Sequence, residues 1–211
     1  MNIFSKILDK LVTLIGKINW KPKHIISDAS KKIISDMMVT DYYIILTRHD
    51  NHLSTYAEAV AHLFIAGKFG YYAHALMNLE GDDVTTTEDF RLVEATGRGV
   101  HYSTFDYVFG ECSDVALLKP KSMTIEEWTA ALDKAKTNLG KPYDTLLDLY
   151  NDNAMNCSEL VRNALMASPD YYTDFANFER MIKENPMKNL DPHLFYECPD
   201  FEVVFEVRKG K

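Results

Sequence analysis

The sequence predicts an α+β domain, and three observations carry the prediction. Strand-like runs are scattered from Tyr42 to Val207, amphipathic helical stretches lie between them, and the order is helices first, then mixed strands and helices, then a last strand. Two sequence capping boxes, Thr124 with Glu127 and Asn156 with Glu159, mark helix starts in the second half of the chain.

Met1 to Ile18 places Ile3, Phe4, Ile7, Leu8, Leu11, Val12, Leu14 and Ile15 at helical spacing, with Lys6, Lys10 and Lys17 on the polar side. A second helical stretch runs from Ile25 to Met38. The β-rich run Tyr42 to Thr47 then opens the compact domain, which divides the chain into a helical extension, 1–39, and a domain, 40–211. Leu53, Tyr56, Ala57, Val60, Leu63 and Phe64 predict an amphipathic helix that Gly67 ends. Between Gly70 and Gly81, Tyr71 to Leu79 reads as a strand, and alternation puts Tyr72, His74 and Leu76 on one face. After a polar segment, Gly81 to Asp89, strand character resumes over Phe90 to Thr96 and stops at Gly97, which implies a meander or hairpin.

Val115 to Leu118 is another strand, closed by Pro120, and the Thr124 helix runs through Trp128, Leu132, Ala135 and Leu139 to Gly140. Pro142-Tyr143-Asp144 turns the chain into a short helix, and Asn151 to Asn156 is a polar loop. The next helix runs from Cys157 to about Ala167, with Leu160, Val161, Ala164 and Leu165 as its apolar stripe. Phe201 to Val207 is the closing strand; no internal repeat or low-complexity tract is present.

At 211 residues the chain suits one large domain, and a hydrophobic content of 46% excludes a disordered one. The net charge of -8 disfavours nucleic acid as a partner. Three cysteines, Cys112, Cys157 and Cys198, without a C-x-x-C pair, indicate neither a disulfide framework nor a zinc ribbon, so a reducing compartment and no metal are expected. Asp9 and Lys10 interrupt any signal-peptide core, and no run approaches a spanning helix. The expectation is a cytoplasmic protein, with peripheral membrane contact through residues 1–20 open as an alternative to a helix docked on its own core.

Cys157 is the residue around which a chemistry can be built. Asn156 as N-cap puts it at the first helical position, where backbone N–H groups without helical partners and the positive end of the helix dipole favour a thiolate. A thiol nucleophile needs a base, and histidine serves near neutrality. His74 is the first choice because it lies on a strand, whereas His62 falls in a helix and His24, His49, His52 and His193 sit in polar or loop-like surroundings. The base needs a group that fixes its ring, and Glu94, a charge inside Leu92-Val93-Glu94-Ala95-Thr96, is placed for that work; a solvent-facing strand position is its competing reading. For an oxyanion, N–H groups at the helix start could donate, with Tyr143 and Ser158 as polar neighbours. Tyr143 as a packing aromatic and Cys157 as a small buried hydrophobe are the bland alternatives; the latter fits Cys112 and Cys198. Phosphate-loop, dinucleotide-fold, H-E-x-x-H and G-x-S-x-G motifs are absent.

Four separated pieces together resemble a known family: the strand Tyr42 to Arg48, Tyr72-Ala73-His74-Ala75-Leu76, Val93-Glu94-Ala95-Thr96-Gly97, and Gly140-Lys141-Pro142-Tyr143-Asp144 leading to Asn156-Cys157-Ser158-Glu159-Leu160-Val161. They are similar to the circularly permuted branch of the NlpC-like papain-fold hydrolases, typified by the YiiX and YaeF group and a related poxvirus protein. Leu190-Asp191-Pro192 resembles that family's C-terminal segment, and the resemblance covers Thr40 to Val207. It implies a permuted papain-like fold, an antiparallel sheet packed against helices, in which histidine precedes cysteine along the chain. It also implies Cys157 as nucleophile, His74 as base and Glu94 as orienting residue, in a cysteine peptidase or amidase that needs no cofactor.

The leading expectation is thus hydrolysis of a peptide, amide or acyl-ester substrate through a thioester. Two other readings compete: a lipid-directed acyltransferase or thioesterase, which the basic-faced N-terminal helix would favour, and a catalytically silent binding or structural protein of the same fold. The N-terminal helices and the Leu53 to Gly67 helix have no match in the resemblance.

Overall fold

In the computed structural model, residues 21–52, 70–79, 92–144, 153–184 and 190–209 are described. In chain order the elements are α1 (Asp28–Thr40), β1 (Ile44–Arg48), β2 (His74–Asn78), β3 (Leu92–Thr96), β4 (Gly99–Ser103), α2 (Phe105–Phe109), β5 (Asp114–Pro120), α3 (Ile125–Lys136), α4 (Cys157–Leu165), α5 (Tyr171–Asp174), α6 (Ala176–Glu184), α7 (His193–Glu197) and β6 (Phe201–Val207). The expected helices Met1 to Ile18 and Leu53 to Gly67, the polar segment Gly81 to Asp89 and the short helix after Asp144 lie outside the described residues.

The six strands form one antiparallel sheet in the order β4-β3-β2-β1-β5-β6. The central β1 is apolar on both faces because both faces are covered: Ile44 and Leu46 point into one hydrophobic cluster and Ile45 into another. The larger cluster packs the sheet against α3, α4, α6 and α7 through Trp128, Leu132, Leu160, Val161, Phe178 and Phe195. The smaller one packs it against α1 and α2 through Ile34, Met38, Phe105 and Phe109. Full burial of side chains of this size contributes about 1.5–3 kcal/mol each. Among the described residues no helix is long and apolar enough to cross a membrane.

Both capping boxes form. Thr124 Oγ1 accepts from the Glu127 N–H and Glu127 Oε2 from the Thr124 N–H, at 3.2 and 2.8 Å. Asn156 Oδ1 accepts from the Glu159 N–H and Glu159 Oε2 from the Asn156 N–H, at 3.0 and 2.9 Å. On α4, Arg162 reaches Glu179 of α6 through Nε at 2.8 Å and Nη2 at 3.2 Å, and the Tyr171 hydroxyl donates to Glu179 Oε1 at 2.6 Å. This partly buried fork fixes the helix that carries Cys157 against its neighbour.

The structure departs from the sequence reading in three places. Tyr72 and Leu76 do not share a surrounding: Tyr72 joins the larger cluster and Leu76 the smaller. The Ala73 N–H donates to Thr47 O at 3.1 Å, while Thr47 is also the ladder partner of His74, so two residues face one and strict alternation begins only at His74. The sequence does not mark β4 as a separate element, because Gly99-Val100-His101-Tyr102-Ser103 has only one aliphatic side chain; it forms as the return arm of the hairpin at Gly97-Arg98. Helices α2 and α5 to α7 are nine residues or shorter, too few turns for periodicity to show clearly.

A backbone strap connects this hairpin to the start of α4. The Val100 N–H donates to Lys141 O at 2.8 Å and the Gly140 N–H to Val100 O at 2.9 Å. Gly99 makes the approach possible: its φ is +89°, and a Cβ there would stand 2.4 Å from Lys141 O. Two residues on, the Met155 N–H donates to Pro142 O and the Asp144 N–H to Met155 O, at 3.0 and 3.1 Å, which delivers the chain to Asn156.

Candidate active site

Three chain segments distant in sequence meet where α4 starts. The Asn156 capping box sets Cys157 at the first position of α4, beside Ser158, whose Oγ is 4.0 Å from Cys157 Sγ. His74 is the first residue of β2, and Glu94 is the middle of β3. His74 Nε2 is 2.7 Å from Glu94 Oε2, and Cys157 is near enough to the His74 ring to raise its affinity for a proton. With Nε2 committed to Glu94, Nδ1 is the ring nitrogen left for sulfur. The sequence-predicted trio is therefore together.

Burial and partners set the charges. Glu94 is 2% exposed, so the solvent-facing reading of its strand position is wrong: a charge in this setting persists only with donors around it. It has three. His74 serves Oε2, the Ser103 hydroxyl donates to Oε1, and His101 Nε2 lies 3.3 Å from Oε1. Burial pushes the Glu94 carboxyl up, but the bonds from His101, His74 and Ser103 outweigh it and hold the group well below the usual carboxylate range. For His74, burial pulls down, while hydrogen-bonding and electrostatic interactions with Cys157 and Glu94 raise it to about 10. The balance favours the protonated ring.

The thiol is covered: Cys157 is 4% exposed, whereas the His74 side chain keeps 21%. Tyr143 is half-buried, packs against the larger cluster, and bridges Met155 just before the helix. Ser158 is fully buried. The other two thiols are core residues, as expected: burial pushes Cys112 and Cys198 each up to about 12.

Two groups at the site went unseen in the sequence: His101 and Ser103. A signal existed. With Gly97-Arg98 as a two-residue turn, Thr96 pairs with Gly99, and counting back puts Glu94 opposite His101 and Leu92 opposite Ser103. Two further imidazoles flank the site. His49 and His52, in the loop after β1, stack with ring centroids 5.1 Å apart. Burial, then the neighbouring His52 and His74, push His49 down to about 4, so it is neutral at pH 7.

The sequence profile of the permuted papain-like amidase enzymes, the YaeF/YiiX or C92 family, matches residues 35–205. Among solved structures, the crystal structure of metalloprotein yiiX from Escherichia coli O157:H7 is similar, with a TM-score of 0.53 and 17% identity over 80% of this chain and 97% of that one. At that identity the likeness concerns the fold. No curated protein matches. That protein is called a metalloprotein; among the described residues of this chain, no group of three or more His, Cys, Asp or Glu side chains is disposed to hold a metal ion.

Proposed function

Because the chain belongs to the permuted papain-like amidase family, a family of cysteine hydrolases, we propose that it cleaves a peptide or amide bond with Cys157 as nucleophile, His74 as proton carrier and Glu94 as the residue that orients His74. The observation that carries this reading is the division of the imidazole: Nε2 is locked on Glu94, which leaves Nδ1 for sulfur. With the proton resting on His74, sulfur attacks the carbonyl carbon as thiolate; the C–S bond forms and the carbonyl π pair moves to oxygen. The N–H groups of Cys157 and Ser158, which a helix start leaves without intrahelical acceptors, receive that oxyanion, with Tyr143 as a neighbouring polar group. Collapse breaks the C–N bond, and the amine leaves with the proton from Nδ1. Water then gives its proton to His74 and attacks the thioester; the C–O bond forms, the C–S bond breaks, and the acid departs.

A thiol-directed acyl probe tests the assignment. Wild type should be labelled once, on Cys157, and Cys157→Ala not at all, since thiols held at about 12 are unreactive at pH 7 to 8. Labelling that persists in the variant and maps to Cys112 or Cys198 would refute it.

A further inference from the structure

Glu94 is served by two imidazoles, and His74 is the one in contact with Cys157. The second, His101, has three neighbours: its Nε2 is 3.3 Å from Glu94 Oε1 and 3.0 Å from Arg98 Nη2, and its Nδ1 is 2.8 Å from Gly99 O. Hydrogen-bond chemistry fixes the roles, because a guanidinium only donates, whereas a carbonyl and an ionised carboxylate only accept. Nδ1 therefore carries a proton toward Gly99 O in both charge states of the ring. Nε2 cannot serve both partners at once: with a lone pair it accepts from Arg98, and with a proton it donates to Glu94.

We propose that His101 is a positioning residue of this site, whose Nε2 passes from Arg98 to Glu94 on protonation and so gives Oε1 a second donor that clamps the carboxylate holding His74. The inference rests on the roles proposed above for Cys157, His74 and Glu94. Its surroundings suit the task. His101 keeps 21% of its side chain exposed, so solvent protons reach it, while Glu94 keeps 3%. The strap from Val100 to Lys141 and Gly140 fixes its backbone, and the Arg98 guanidinium rests 4.9 Å from the Tyr107 ring centroid of α2, which holds the competitor in place. The charged and titratable groups facing the ring are Glu94 from β3, His74 behind that carboxylate on β2, and Arg98 from the turn; Lys141 lies against Gly99 through its backbone. Glu94 favours the imidazolium and Arg98 opposes it, with Glu94 prevailing, so the ring titrates above its ordinary value.

Nitrogen-detected NMR of the full chain reads the ring without depending on Cys157 chemistry, so failure here is separable from failure of the nucleophile assignment. Neutral His101 should be the Nδ1–H tautomer, its titration midpoint should fall in Glu94→Gln, and it should rise in Arg98→Ala. A neutral Nε2–H tautomer, or a midpoint that neither variant moves, overturns the proposal. The functional readout is the pH profile of Cys157 alkylation by iodoacetamide. Wild type should show an inflection at the His101 midpoint, and His101→Gln, whose amide donates without titrating, should lose the inflection while staying within about threefold of the wild-type plateau, since a donor is retained. Superposable profiles for the two proteins would equally sink the idea, because a merely structural side chain leaves no inflection to lose.

Discussion

His74 Nε2 and Glu94 Oε2 stand 2.7 Å apart outside the β2–β3 ladder, whose pairs are Met77 with Val93 and Asn78 with Leu92. The side-chain bond thus joins the two strands beyond their last recorded backbone pair, at the end of β2 that approaches Cys157. A charged hydrogen bond in a site where Glu94 is 2% exposed is stronger than its surface counterpart; it fixes the direction of the imidazole and, with Cys157, favours its protonated form.

Glu94→Gln keeps the shape and removes the charge. His74 should then drop from about 10 toward its ordinary 6.5, because one of the two partners that raise it has been neutralised while burial still pulls it down. The alkaline limb of the labelling rate against pH should move down accordingly. The rate at pH 7 should fall by about a hundredfold or more, by comparison with the loss of the orienting carboxylate in other nucleophile–imidazole sites. An unmoved alkaline limb would show that Glu94 does not govern His74.

Stability against pH should carry the same pair with opposite signs. His74 is raised in the folded state, so its contribution is fully present below 6.5 and is lost as pH rises through about 10. Glu94 is depressed, so its contribution is present above 4.5 and lost as pH falls through its lower folded value. His49, lowered to about 4, acts in the window between, where stability drops as pH falls from 6.5 and the unfolded chain takes up the proton first. Urea midpoints read at each pH should show the alkaline slope flattened in His74→Gln and the slope from 6.5 to 4 flattened in His49→Gln. Slopes indifferent to the substituted residue would contradict the assignment.

What the sequence disclosed follows from how locally each feature is encoded. The α4 start was legible because Asn156, Glu159 and the apolar stripe all lie within ten residues, and β1 because its burial on both faces leaves a continuous apolar run. The burial of Glu94 was ambiguous, since alternation gives a face and not what covers it; α1 and α2, which pack the face of Leu76 and Leu92, decide that. His101 depended on hairpin register, a relation between two strands of which only one was recognisable. The irregularity at Ala73 and His74, which separates Tyr72 from Leu76, has no local signature because it arises from pairing with Thr47.

Gly99 and Gly97 sit two residues apart in that hairpin and should respond differently to the same methyl group. At Gly99 a Cβ meets Lys141 O at 2.4 Å with φ at +89°, so Gly99→Ala strains both the backbone and the strap to α4; a loss of about 1–3 kcal/mol is expected by thermal denaturation. At Gly97 nothing lies within 4 Å, and Gly97→Ala should be nearly neutral. Equal effects at the two positions would mean that the strap does not constrain the hairpin.

The two capping boxes separate positioning of the thiol from general stability. Asn156→Ala removes the acceptor for the Glu159 N–H, and Thr124→Ala removes the acceptor for the Glu127 N–H, at nearly the same bond lengths of 3.0 and 3.2 Å. Each should cost about 1 kcal/mol, with the larger share at Asn156, which is 2% exposed and leaves its donor without access to water. Only the first cap adjoins Cys157, so only Asn156→Ala should slow iodoacetamide alkylation, by about tenfold, as the first turn of α4 frays and carries sulfur away from Nδ1. Thr124→Ala should keep the wild-type rate at the same fraction folded. If both variants slowed alkylation alike, sulfur would be held by the fold as a whole and not by the helix start.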